Sequence, residues 1–325
     1  MTSALLLLTS CYDDYVRDYE IQSVGFANQT DVRSFIVGES MEISTGVGLG
    51  GVITNNEDRK VYFEVDNSLV NDATLSSFKN HTWSYISELY GNVNAISPLP
   101  ADEYTLTPEG GRAGEVIIRK GDHLGRIAIK VDEDTFIADE GRLYPEFVIP
   151  LRITGVDGGL TLMESKTTTV IGVRYENMLF GDWWHGGEMS VTDPQGNVLE
   201  NITYYTSAPQ ADNLVWTLTT VSPHSLTANA VGNALNGVEA QMKLTLNDDN
   251  TVTVEPVNGA TYQVEPDGES TYNDARLLQE RKIFLNYKYV NGDGNTCHAK
   301  DTLTFRNRIR DGVNEWQDEN PENYE

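Results

Sequence analysis

The chain has 325 residues, too many for one small core, and its length fits about two domains. Apolar side chains make up 39% and charged ones 22%, an ordinary globular mix, and 16 Tyr with 28 Gly lean it toward strands and turns. With 49 acidic against 23 basic residues the formal charge is -26, which argues against nucleic acid and anionic lipid head groups as partners.

The first eleven residues read MTSALLLLTSC. Leu5, Leu6, Leu7 and Leu8 make an apolar core far too short to span a bilayer, which takes ~20 residues. Thr9 and Ser10 precede Cys11, and the whole resembles a lipoprotein signal in which residues 1–10 are removed and Cys11 is lipidated. It departs from the pattern in lacking a Lys or Arg before the leucines. Asp13 and Asp14 follow the cysteine and resemble the surface-export signal of Bacteroidetes lipoproteins. The expected location is therefore the outer membrane, lipid-anchored and facing the cell exterior, with the lipid as the only membrane contact. Residues 12–22 are polar and read as a tether.

From Ser23 the sequence alternates with period two. Strands are predicted over 42–46, 59–65 (RKVYFEV), 104–106, 115–119 (EVIIR), 126–131 (RIAIKV), 147–153 (FVIPLRI) and 167–175 (TTTVIGVRY). Gly110-Gly111, Gly121-Asp122 and Asp139-Glu140-Gly141 supply turns between them. The stretch 75–89 has a mixed period that fits a short helix or a loop, and Pro98 and Pro100 break the chain after it. Short strands about ten residues apart predict an immunoglobulin-like β-sandwich over 23–176.

The second half, 177–310, opens on Trp183-Trp184-His185 and alternates over 188–192, 201–205, 214–221, 241–246, 251–255, 282–290 and 299–305. Asn247 to Asn250 (NDDN) and Asn291 to Asn295 (NGDGN) join neighbouring strands as hairpins. Such hairpins predict a second antiparallel β-barrel or β-sandwich, lipocalin-like or jelly-roll-like, so the chain reads as all-β. Residues 311–325 read as an acidic, frayed tail.

The stretches VYFEVDNSLVND (61–72), LPADEYTLTPEGG (99–111), GEVIIRKGDHLGRIAIKVDED (114–134) and YPEFVIPLRITGVDG (144–158) resemble the immunoglobulin-like domain of unknown function 1735. ENMLFGDWW (176–184) and KIFLNYKYVNGDGNTCHAKDTLTFRNRI (282–309) resemble its usual C-terminal partner, domain of unknown function 4361. These are surface lipoproteins of Bacteroidetes, many associated with polysaccharide-utilisation loci. The resemblance implies a glycan-binding or importer-accessory role, with a polysaccharide or oligosaccharide and outer-membrane importer components as partners. It brings no catalytic residues.

Glycan binding needs aromatic faces for the apolar side of sugar rings and polar groups for the hydroxyls. The candidates are Trp83, Tyr85 and Tyr90, expected on an irregular segment with little core to bury them, and Trp183 and Trp184, which as neighbours in a strand must point to opposite faces. Trp216 alternates with Leu218 and is expected in the core. Asn291, Asp293 and Asn295 alternate oxygens in the manner of a calcium loop, but hairpin turns favour the same residues. Cys297 is expected as a packed strand residue, and with no CxxC or Cys/His cluster no metal or cofactor is expected. No GxSxG, HExxH or phosphate loop is present, so the expected function is non-catalytic. The competing expectations are a surface adhesion or assembly protein that binds other proteins and, third, a weak glycoside hydrolase.

Overall fold

The computed structural model describes residues 18–204, 212–233 and 240–318. The expected signal, Cys11 and residues 319–325 lie outside them. Strand accounts for about 51% of residues and helix for 11%, in curled sheets that form half-barrels, so the protein is all-β with two domains. The chain divides into unit 1, built from residues up to 35, 41–138 and 144–174, and unit 2, built from 36–40, 139–143 and 175 onward.

Unit 1 carries strands β1 (Ser23–Phe26), β2 (Thr30–Val37), β3 (Glu42–Gly50), β4 (Arg59–Val65), β5 (Ser97–Pro98), β6 (Tyr104–Pro108), β7 (Glu115–Ile118), β8 (Leu124–Val131), β9 (Phe147–Val156), β10 (Thr161–Leu162) and β11 (Thr168–Asn177), the last residues of β2 and β11 counting with unit 2. They form two sheets, ordered β10-β1-β3-β8-β6 and β2-β11-β9-β4-β7, with β5 also on β9. Phe26, Val47 and Ile127 from the first and Val61, Val116 and Ile149 from the second are fully buried. Three short helices, α1 (Asp72–Lys79), α2 (Ser84–Tyr90) and α3 (Glu133–Ile137), interrupt the strands.

The mixed-period stretch is thus helical. Asn71 caps α1 by accepting the Thr74 N–H at 3.1 Å. The pair α1–α2 turns Leu75, Phe78, Ile86 and Tyr90 onto Val32, Val148 and Val170. This buries the second face of that sheet, which is why β9 and β11 read as continuous apolar runs rather than strict alternations. Residues 18–22 do not behave as a free tether: the Tyr19 N–H donates to Gly51 O at 2.8 Å and Asp18 accepts the Ile53 N–H at 2.7 Å.

Unit 2 is one curled antiparallel sheet. Its strands are β12 (Gly181–Thr192), β13 (Val198–Tyr204), β14 (Leu214–Ser222), β15 (Ser225–Ala228), β16 (Met242–Leu246), β17 (Val252–Pro256), β18 (Glu265–Pro266), β19 (Thr271–Tyr272), β20 (Lys282–Val290), β21 (Thr296–Arg310) and β22 (Val313–Glu315). The spine order is β17-β16-β15-β14-β12-β21-β20-β18, with β13 on β12, β19 on β20 and β22 on β21. Alternate residues of the long strands point inward, so Trp183, Trp216, Leu285, Tyr287, Cys297 and Leu303 share one core. Both expected hairpins form, β16–β17 and β20–β21. In the second, Asn291 Oδ1 accepts the N–H groups of Asp293 and Asn295 at 3.0 Å each. The oxygen that would have faced a cation therefore closes the turn. Within the described residues the acidic stretch is not frayed: β22 pairs with β21, and Asp318 accepts the Leu278 N–H at 2.7 Å.

Candidate functional site

Trp83 sits immediately before α2 and Tyr85 within its first turn. A helix here has one buried stripe, Ile86 and Tyr90 at i and i+4, so residues on the other side face solvent. Trp83 is 46% exposed and Tyr85 half-buried. Their ring centres are 6.0 Å apart with planes only 17° from parallel. His81 extends the row, 5.1 Å from Trp83, and its Nδ1 accepts the Trp83 N–H at 3.0 Å, so that nitrogen carries no proton. The Tyr85 hydroxyl donates to Asp31 at 3.4 Å. Asp31 in turn binds Arg33 at 2.8 Å, the Val32 N–H at 2.9 Å and Asn28 at 3.1 Å. The result is a partly exposed aromatic pair with a fixed polar cluster at its edge.

The remaining predicted residues fall elsewhere. Tyr90 is fully buried, stacked 4.1 Å from Phe78, because it lies on the inward stripe of a helix and not in a loop. Burial pushes its phenol well above the usual range. Trp183 is also fully buried, with its Nε1–H donating to Leu179 O at 3.1 Å. Trp184 is on the outer face, half-buried, but the Arg306 guanidinium lies 4.9 Å over its ring and is tied to Asp182 at 3.3 Å. One ring face is therefore already covered.

A polar cluster inside unit 2 was not anticipated. Asp301, 2% exposed, accepts from Tyr204 at 2.7 Å and from Tyr287 at 2.5 Å, and the Tyr287 oxygen accepts the Gly232 N–H at 2.5 Å. Gly187 pairs with both Tyr204 and Asp301, and its missing side chain leaves the gap the phenol crosses. Its φ of +149° and the 2.3 Å from an added Cβ to Lys300 O admit only glycine. His185 Nε2 lies 3.3 Å from Asp301, close enough for a charge contact, yet neither ring nitrogen has hydrogen-bond geometry to any described group. Stacking holds the ring instead, 4.3 Å from Trp216 and 4.9 Å from Tyr204. Burial first, and then the Asp301 charge, raise both phenols far above their ordinary values. The two phenols and Asp301 are matched within the core, which makes them a cross-brace between strands, while the His185 nitrogens stay outside that hydrogen bonding. Its signal was legible in β21, where Cys297, Ala299, Asp301, Leu303 and Phe305 share the inward phase and only one is charged.

Among the described residues no group of three His, Cys, Asp or Glu is placed to hold a metal, and no helix is long and apolar enough to cross a membrane. One family model, for an N-terminal domain, matches residues 15–160, and another, for a C-terminal domain, matches 225–304. The chain is similar to a structural-genomics protein of unknown function from Bacteroides ovatus, at 21% identity and TM-score 0.60, over 93% of this chain and 98% of that one. It also matches a multidomain protein including DUF1735 from the same organism, at 16% identity and TM-score 0.40, over 91% of this chain and 100% of that one. No curated protein matches. The first likeness extends over both units and concerns fold alone.

Proposed function

We propose that this is a non-catalytic cell-surface lipoprotein, anchored through Cys11 to the outer membrane, that holds polysaccharide or oligosaccharide on Trp83 and Tyr85 and assists a polysaccharide importer. The observation that carries the reading is the near-parallel, partly exposed Trp83–Tyr85 pair. Aromatic faces pack against the C–H side of sugar rings, and the partly exposed Arg33, held by the buried Asp31, offers a hydroxyl partner. The acidic surface suits an uncharged glycan better than a polyanion.

Affinity gels cast with neutral polysaccharides test it. At least one gel should retard the full chain, and Trp83→Ala should weaken retention about tenfold. Unretarded migration on every gel, or retention indifferent to Trp83→Ala and Tyr85→Ala, would overturn it. Palmitate labelling that persists in Cys11→Ala would remove the anchor from the proposal. A second reading, a surface assembly protein, draws on β13, which pairs with β12 on one side and exposes Val198 and Leu199.

A further inference from the structure

Unit 2 contains a cavity of about 590 Å³, within the size range of small-molecule sites. Its wall carries four arginines and four carboxylates. The floor is built and internally matched. Arg281 and Arg308, each 2% exposed, share Glu39, which takes two hydrogen bonds from Arg308 at 2.8 and 3.1 Å and meets Arg281 Nη1 at 2.8 Å. Arg281 spends its other donors on the carbonyls of Met178, Ala275 and Arg276.

The rim differs. Arg310, half-buried, reaches carboxylates only at 3.8 and 3.9 Å, beyond hydrogen bonding. Gln317 and Asp274 also line the cavity and make no side-chain hydrogen bond to described residues. Asp274, at φ +44°, lies in the loop that joins β19 to β20 and is exposed.

The charges of this wall cancel, so it does not attract an anion, and the chain as a whole repels one. Eight of the 14 lining residues are charged, so it does not suit a lipid. A guanidinium, an amide and a carboxylate with unspent capacity are planar groups that grip neighbouring hydroxyls in pairs. We infer that this cavity is a second carbohydrate site, taking the end of a short uncharged oligosaccharide between Arg310, Gln317 and Asp274. The inference rests on the glycan reading above. It adds a recessed site for short sugars to a surface row suited to long ones.

Calorimetry on the full chain tests it with maltose, cellobiose, xylobiose and laminaribiose as probes, and with glucuronate and sulfate as charged controls. Binding of one disaccharide is expected, weakened about tenfold by Arg310→Met and measurably by the exposed-side variant Gln317→Ala. No heat with any of the four, equal binding by both rim variants, or preference for glucuronate or sulfate would overturn it. Retention of polymer on gels depends on Trp83 and is scored separately. A chain retarded on gels but silent to disaccharides sinks this site and spares the platform; the reverse result sinks the platform.

Discussion

The two units solve the same problem with different chemistry. Unit 1 seals both faces of one sheet with aliphatic and aromatic side chains, and its ion pairs, such as Arg119–Asp58 and Arg59–Glu57, lie toward the surface. Unit 2 places a carboxylate, two phenols and an imidazole in its core, and locks two arginines onto one glutamate beside its cavity. Apolar packing tolerates losses in small steps. A buried polar network fails when one member is removed, because the others are left desolvated and unpaired. Unit 2 should therefore be the brittle half.

The largest break in that contrast is Arg281→Met, which leaves Glu39 to Arg308 alone and strands three carbonyls, and should cost about 3–5 kcal/mol. Four of the five tryptophans, Trp183, Trp184, Trp216 and Trp316, lie in unit 2, so urea unfolding followed by fluorescence reads that half. A cost below about 1 kcal/mol would mean the network is ornamental. Asp301→Asn should come next at about 2–3 kcal/mol, since the two phenols lose a charged acceptor.

Acid should act third and selectively. Burial alone would raise the Glu39 carboxyl, but the charges of Arg308 and Arg281 outweigh it and hold it below its ordinary 4.5. A carboxylate depressed on folding stabilises above its unfolded pKa, and that contribution drains away as pH falls below about 4.5 toward the folded value. Fluorescence of unit 2 should report loosening there, and Glu39→Gln should flatten the acid limb; an unaltered limb would acquit the glutamate. The smallest effect belongs to unit 1. The Tyr90 hydroxyl is buried with no hydrogen-bond partner among the described residues, so Tyr90→Phe should be neutral or stabilising by up to about 1 kcal/mol in thermal melts. Marked destabilisation would point to an acceptor for that hydroxyl.

Strands with one wet face were legible from sequence: 59–65 and 282–290 coincide with β4 and β20. β2 was not, because TDVRSFIV is buried on both faces and so loses its alternation. Trp83 and Tyr85 were legible as aromatics in a weakly patterned stretch. Tyr90 misled because its burial follows from helical spacing to Ile86, invisible until the helix is granted. The Glu39–Arg308 pair joins residues 269 positions apart, and no local pattern could announce it.

Cys297 gives these contrasts a clock. The residue is 2% exposed in β21, and burial pushes its thiol above the ordinary value despite the nearby Tyr289 hydroxyl. Only a reduced, reachable sulfur reacts with a maleimide. In a Cys11→Ser chain, modification must therefore wait for the half-barrel to open, and its rate counts those openings one molecule at a time under fully native conditions.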